Sequence, residues 1–229
     1  MTMFRINWSF HYFYMMFFAV AAGLFLWLAY KRRRDFLLTA TCLGLAFEAK
    51  AGAEVGAVLK RFSLFPDPSP DHVGQWVHGT YQNMQVMAFN YCFREGPTFA
   101  EMSLLQCLAF RLPHCLPSLR MKASPAEPDV LAQNRIFWDD VAFTDLYTVK
   151  GQHSDFAHAL FDDEIIAHLI TRPDYAVFIE DDWLLFARTG ELEAPQLEAF
   201  LAEGFPLAQR ASSYKLEGAG FKFKRGQRG

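Results

Sequence analysis

Residues Ile6 to Tyr30 run for 25 positions without an Asp, Glu, Lys or Arg. As an α-helix that stretch reaches roughly 37 Å, enough to cross a hydrocarbon core of about 30 Å. Trp8, Tyr12 and Tyr14 stand near one end, Trp27 and Tyr30 at the other. Amphipathic rings favour the two interfaces, so this placement predicts an aromatic belt. Lys31, Arg32, Arg33 and Arg34 follow at once, whereas the other flank offers only Arg5 and the α-amino group. Four positive charges resist translocation. The positive-inside rule therefore predicts a single pass through a membrane, with the N-terminus outside and residues 31–229 cytoplasmic. A cleaved signal peptide fits less well: its n-region would hold one Arg, and the basic cluster would follow the apolar run instead of preceding it. Trp8, Trp27, Tyr30 and Lys31 to Arg34 are the expected membrane-interface residues. His11 lies inside the span as an interfacial imidazole with no second ligand histidine on its side. Ala19, Ala22 and Gly23 offer a small-residue face to another helix.

After the basic cluster the pattern changes. Phe36 to Phe47 is uncharged for only 12 residues, too few to span. It predicts a juxtamembrane helix over Asp35–Leu43 that stops at Gly44, then a strand Leu45–Lys50. Val55, Val58, Leu59 and Phe62 recur at helical spacing, and a loop from Pro66 to Asp71 follows. Val73 to Phe93 reads as a hairpin whose turn lies in Gly79–Met84, with Asn83 the residue to accept positive φ. Met87, Phe89, Tyr91 and Phe93 alternate with Val86, Ala88, Asn90 and Cys92, which predicts a strand with its aromatic face buried. Residues 98–112 predict a third strand, and Leu116–Met121 a fourth placed at an edge by its proline. Ala123–Asn134 reads as a loop or short helix, and Leu146–Lys150 as a strand. Ser154 or Asp155 caps a short helix; Asp162 caps the next, to about Ile170, with Pro173 as its stop. Tyr175–Ile179 and Trp183–Arg188 read as a second hairpin around Glu180-Asp181-Asp182. Pro195 opens a last helix with Leu197, Phe200 and Leu201 on one face. Strands in antiparallel-type pairs with helices between and after them predict an α+β fold, with helices packed on one side of the sheet. The organisation expected is an anchor with basic stop at 1–34, a cytoplasmic α+β domain at 35–208 and a basic flexible tail at 209–229.

Composition sharpens this. With 52% hydrophobic residues and 24 Phe the chain has ample material for a core, which excludes disorder. The net charge is −3, but it is unevenly spread: residues 126–208 hold 17 acidic and 4 basic side chains. Such a body repels phosphate, so nucleic acid is excluded as the main partner. The tail has Lys215, Lys222, Lys224, Arg225 and Arg228 among glycines. It is either a solubilising end or a clamp on anionic headgroups helped by Phe221 and Phe223.

The order of features resembles a family of uncharacterised bacterial membrane proteins with N-terminal spans and a cytoplasmic domain of unknown function. The resemblance rests on Leu43 to Glu48, Phe62 to Phe65, Gly79 to Val86 running into Phe89-Asn90-Tyr91, Leu116 to Leu119, and the acidic segment before Leu184-Leu185-Phe186. It covers roughly residues 35–205. This chain departs from the family pattern in having Asn83 where Gly is usual in the turn and Asn90 where Asp is usual before the strand Tyr. The resemblance implies an architecture and no activity.

Candidate chemistry is sparse. His153, Asp155, His158 and Asp162 sit at spacings that place imidazole and carboxylate on one helix face, as a metal site requires. They are the candidate ligands of a membrane-bound metal-dependent hydrolase. The rival reading is helix capping and i,i+4 pairing without metal; Glu164 and His168 are a further such pair. Asp139-Asp140 and Glu180-Asp181-Asp182 offer neighbouring carboxylates for acid/base work or a hard cation; for the second group, turn chemistry and solubility are the rival explanation. Cys42, Cys92, Cys107 and Cys115 show no C-x-x-C pair and no zinc spacing; Cys107 with Cys115 is the one redox pair considered. No phosphate-binding glycine loop and no nucleophile elbow is present. No cofactor and no catalytic residue is implied. The reading is a non-catalytic, membrane-tethered interaction or assembly module whose partners are the lipid bilayer and another membrane or membrane-associated protein. An immunity-type or stress protein that binds one toxin is a third possibility the residues leave open.

Overall fold

The computed structural model describes residues 8–65, 67–95, 101–123, 134–172 and 174–214. Residues 96–100 between the second and third predicted strands, Pro173, most of the 123–134 loop and the basic tail from Lys215 onward lie outside the described residues, as do the side chains of Trp8 and His11.

A single helix, α1 (Trp8–Cys42), holds 35 residues. The sequence predicted two elements here, a span to Tyr30 and a separate helix from Asp35. They are one because Lys and Arg are strong helix formers and neither Gly nor Pro interrupts the basic run. Gly44, at φ +72°, ends the helix as expected. The stretch Tyr12–Cys42 is long and apolar enough to cross a membrane, and none of its most apolar window is buried. Phe13, Phe17, Phe18, Phe25 and Leu26 stand exposed around it, whereas Phe36 and Ala40, further along the same helix, are completely buried.

The chain divides into two compact units, Met1–Ala109 with Ala187–Leu201, and Phe110–Phe186 with Ala202–Gly229. The first contains α1, β1 (Leu45–Lys50), α2 (Ala53–Leu59), β2 (Val73–Tyr81) and β3 (Met84–Glu95). Val55, Val58, Leu59 and Phe62 are buried as their spacing predicted. β1 and β2 pair antiparallel, with Leu45 opposite Gly79. A Cβ on Gly79 would meet the Leu45 side chain at 2.9 Å, so only glycine passes there. β2 and β3 form the expected hairpin, and Gln82 and Asn83 both take positive φ, as a two-residue hairpin turn requires. β3 differs from its alternating pattern. Phe89 and Tyr91 are buried, but so are Val86, Ala88 and Asn90, because both faces of the strand are covered.

The second unit contains β5 (Arg135–Ile136), α3 (Val141–Leu146), β6 (Tyr147–Gly151), α4 (Ser154–Leu160) and α5 (Asp163–Ile170). Phe143, Tyr147, Phe156, Phe161, Leu169, Tyr175 and Phe178 form its core. The Tyr147 hydroxyl is satisfied inside it, donating to the carbonyls of Arg172 at 2.7 Å and Leu169 at 3.2 Å.

Three elements, β4 (Glu101–Ala123), β7 (Tyr175–Thr189) and α6 (Leu197–Ser213), begin in one unit and end in the other. β4 is one strand of 23 residues, where two were predicted, and it is not at an edge. Its ladder with β6 runs from Leu119 to Ala123, beyond Pro113 and Pro117, so neither proline is asked for a missing N–H there. β7 is likewise continuous where a hairpin was predicted. The strands run β1-β2-β3-β4-β6-β5, with β7 also paired to β4. The fold is α+β, as predicted: a long apolar N-terminal helix, then an antiparallel sheet of seven strands with helices packed on one side.

Candidate functional site

Phe25, Leu28, Ala29, Arg32, Asp35 and Phe36 recur at three- and four-residue spacing, so α1 presents them on one face. That face forms one wall of a groove of about 700 Å³ in the first unit, joined by Lys31 and Arg33. Phe47 and Ala49 of β1, Gln75, and Glu193, Ala194 and Pro195 form the rest. Phe36 closes one end by stacking on Phe47 at 6.0 Å between ring centroids. The Lys31 ammonium lies 5.5 Å from the centre of the Trp27 ring. The sequence assigned Lys31, Arg32 and Arg33 to topology; the structure adds that they share a groove with two carboxylates.

The far wall depends on the segment from Gly190 to Glu193. The Arg32 guanidinium grips the Glu191 carboxylate with two hydrogen bonds, 2.7 and 3.2 Å. Both partners remain partly exposed to solvent, so this pair contributes at most about 1 kcal/mol. The segment itself is fixed more firmly. Gly190, at φ +110°, donates to the Leu104 carbonyl at 2.9 Å. Gln106 donates to the Glu191 carbonyl at 3.2 Å and accepts from Arg188 at 3.0 Å. Asn90 accepts from the Leu192 N–H at 2.7 Å and donates to the Leu192 carbonyl at 3.1 Å. The same Asn90 amide donates to Gln75 at 2.7 Å. Gln75 reaches it from a bulge in β2, where its φ is +53° and the register with β3 slips. Asn90 and Gln106 are the buried polar residues among the described positions, and both are spent on this one segment. The alternation placed Asn90 on the face opposite the buried aromatic one, so its burial is a correction; nothing in the sequence showed that the partner of either residue lies some hundred residues away.

The candidate ligands His153, Asp155, His158 and Asp162 have separate commitments in the second unit. His153 occupies the N-cap position of α4 without a side-chain cap bond, correcting the expected Ser154 or Asp155. The Asp155 carboxylate meets Ser154. His158 packs on Trp138 at 4.6 Å between ring centres. Asp162 caps α5, as predicted, by accepting from the Ile165 N–H at 3.1 Å, and it pairs with Arg210. Among the described residues no cluster of three or more His, Cys, Asp or Glu is placed to hold a metal. Burial pushes the Asp162 carboxyl up, but Arg210 and the Ile165 N–H together bring it below its ordinary value. Its contribution is therefore present above the ordinary carboxylate range and lost as pH falls through the depressed value. Asp162→Ala should cost about 1 kcal/mol. Asp162→Asn, which retains a cap but not the charge, should fall between the two in thermal melts and lose the acid-range dependence.

The acidic run in β7 is not a turn. Glu180 accepts from Ser118 at 2.6 Å and from Arg120 at 2.9 Å, and Asp182 accepts from Arg111 at 3.3 Å. Asp181 takes φ +56° between them. These carboxylates bind the neighbouring β4, and their pattern imitated a hairpin because turns and cross-strand ion pairs use the same residues. Asp140 caps α3 through the Phe143 N–H at 2.9 Å. The four cysteines form no disulfide, and burial pushes the Cys107 thiol far up.

No family model matches the sequence, and no curated protein matches it. Among solved structures, the crystal structure of the mycobacterial trehalose monomycolate transport factor A, TtfA, is similar with a TM-score of 0.51 at 16% identity, over 78% of this chain and 91% of that one. At this identity the likeness is one of fold.

Proposed function

We propose that this chain is a single-pass membrane protein whose body serves, without catalysis, as an interaction or assembly module for a membrane-associated transport or assembly machinery. One observation carries the reading. The apolar residues of α1 from Tyr12 to Tyr30 have no protein cover, yet the same helix continues into a buried anchor at Phe36 and Ala40. A helix naked over one stretch and docked over the next suits a body held against a bilayer. The tether confines the body to two dimensions and raises its effective concentration near membrane partners. The basic run Lys31 to Arg34 supports a cytoplasmic body and an outward N-terminus in a bacterial inner membrane. The fold's likeness to a protein named as a transport factor agrees with an accessory role. That role predicts a partner in the same membrane.

The test is a pair of reporter fusions after Gly229, combined with crosslinking in intact cells. A fluorescent protein that requires the cytoplasm should be bright and alkaline phosphatase inactive, and a membrane protein should be captured on the body. The opposite reporter result, or a protein that stays soluble after lysis without detergent, overturns the reading.

A further inference from the structure

The groove beside α1 is ordered along the helix axis, and the order is chemical. Phe25, Leu28 and Ala29 come first, Lys31, Arg32 and Arg33 next, then Asp35, with Glu193 on the facing wall and the stacked Phe36 and Phe47 closing the end beyond it. Phe25 to Asp35 spans roughly 15 Å of helix. Apolar, cationic and acidic zones in that succession complement an amphiphile carrying acyl carbons, then a phosphate, then a protonated amine. The apolar zone continues the exposed surface that the proposed span offers to lipid. Arg32 is already gripped by Glu191, so the phosphate falls to Lys31 and Arg33 and the ammonium to Asp35 and Glu193. A volume of about 700 Å³ is in the range of ligand pockets. It takes a headgroup and the first acyl carbons while the chains lie along Phe25 and Leu28. The geometry points to a site for one aminophospholipid of the leaflet facing the body. The two carboxylates decide against a purely anionic lipid such as phosphatidylglycerol, which gives them no cation. A trimethylammonium headgroup cannot donate to them. This inference rests on α1 spanning the bilayer.

The full-length chain is placed in nanodiscs of equimolar phosphatidylethanolamine, phosphatidylglycerol and phosphatidylcholine, and lipid retention is read by native mass spectrometry. One retained phosphatidylethanolamine per chain is expected, about tenfold over either competitor, a factor equal to 1.4 kcal/mol. Lys31→Gln with Arg33→Gln should abolish retention. Asp35→Asn with Glu193→Gln should keep a phospholipid and lose the preference for the amine. Ala49→Trp, at an exposed position in the groove wall, should block retention without entering the core. Retention that ignores the headgroup, favours phosphatidylglycerol, survives Ala49→Trp or is displaced by millimolar phosphoethanolamine overturns the site. Carbonate extraction of the wild-type chain separates the two failures. An integral chain that retains no lipid sinks the groove alone, and a chain that extracts sinks the anchor and the groove with it.

Discussion

Arginine at both Phe18 and Leu24 is expected to remove the protein from the carbonate-resistant membrane fraction. Each arginine near the middle of a span costs about 3 kcal/mol, and each apolar side chain it replaces forfeits a further ~0.5 kcal/mol. The pair therefore carries about 7 kcal/mol against insertion, more than a single marginal span tolerates. Both side chains are more than half exposed and neither lines the groove, so the folded body has no stake in them. Exchanging the two residues for each other, Phe18→Leu with Leu24→Phe, should leave fractionation unchanged. A double arginine variant that remains integral would show that α1 does not cross the bilayer, and its exposed apolar surface would then need another partner.

The parts of the fold visible in the sequence are those fixed by local rules. Gly44 ends a helix because a left-handed residue is needed there, Asn83 takes positive φ in the hairpin turn, and Asp162 caps α5. Each of these is a relation among neighbours. The errors fall where a distant partner overrides local signals. Leu116 to Met121 has a proline that argues for an edge, yet β4 is paired because its ladder with β6 begins after that proline. Glu180-Asp181-Asp182 reads as a turn, yet Arg120 and Arg111 lie across from it and turn polar residues into strand residues. The break predicted before Asp35 failed for a different reason. A run of charge marks only the end of the apolar stretch, and the helix continues through it.

The candidate site was half legible for the same reason. Lys31, Arg32 and Arg33 were identifiable as interface cations from their position after the apolar run. That Arg32 shares a helix face with Phe25, Leu28 and Asp35 also follows from the sequence, by spacing alone. The opposite wall does not, because Gln75 and Glu193 reach the groove through a bulge and a segment whose positions are set by tertiary contacts. His153, Asp155, His158 and Asp162 show the converse. Their spacing satisfied a ligand pattern that helix caps and ring packing satisfy equally well, and side-chain geometry decides between them.

Asn90→Ala is expected to be the most damaging substitution in the body outside its apolar core. The side chain makes three hydrogen bonds, two of them to the backbone of Leu192, a residue 1% exposed. Alanine leaves the Leu192 N–H and carbonyl buried without that partner, at about 1–3 kcal/mol for each group. A total of about 4 kcal/mol corresponds to a fall in Tm of roughly 8–16 °C for a chain of this size. Tryptophan fluorescence melts of the detergent-solubilised chain measure it. Asn90→Asp is the sharper probe, because it keeps the shape. The new carboxylate can still accept from Leu192 but faces the Leu192 carbonyl and the Gln75 oxygen with no proton to give, so burial and repulsion should raise its pKa above the ordinary value near 3.9. Protonation restores one donor. Its stability deficit should therefore be smallest below that ordinary value and grow as pH rises through the raised one, while Asn90→Ala shows no such dependence relative to the wild-type chain. If Asn90 merely filled space, the aspartate variant would melt with the wild type at every pH. Because Asn90 holds the segment that carries Glu191 and Glu193, the same variant should also loosen the groove wall, and a loss of stability with an intact amine preference would separate the clamp from the site it faces.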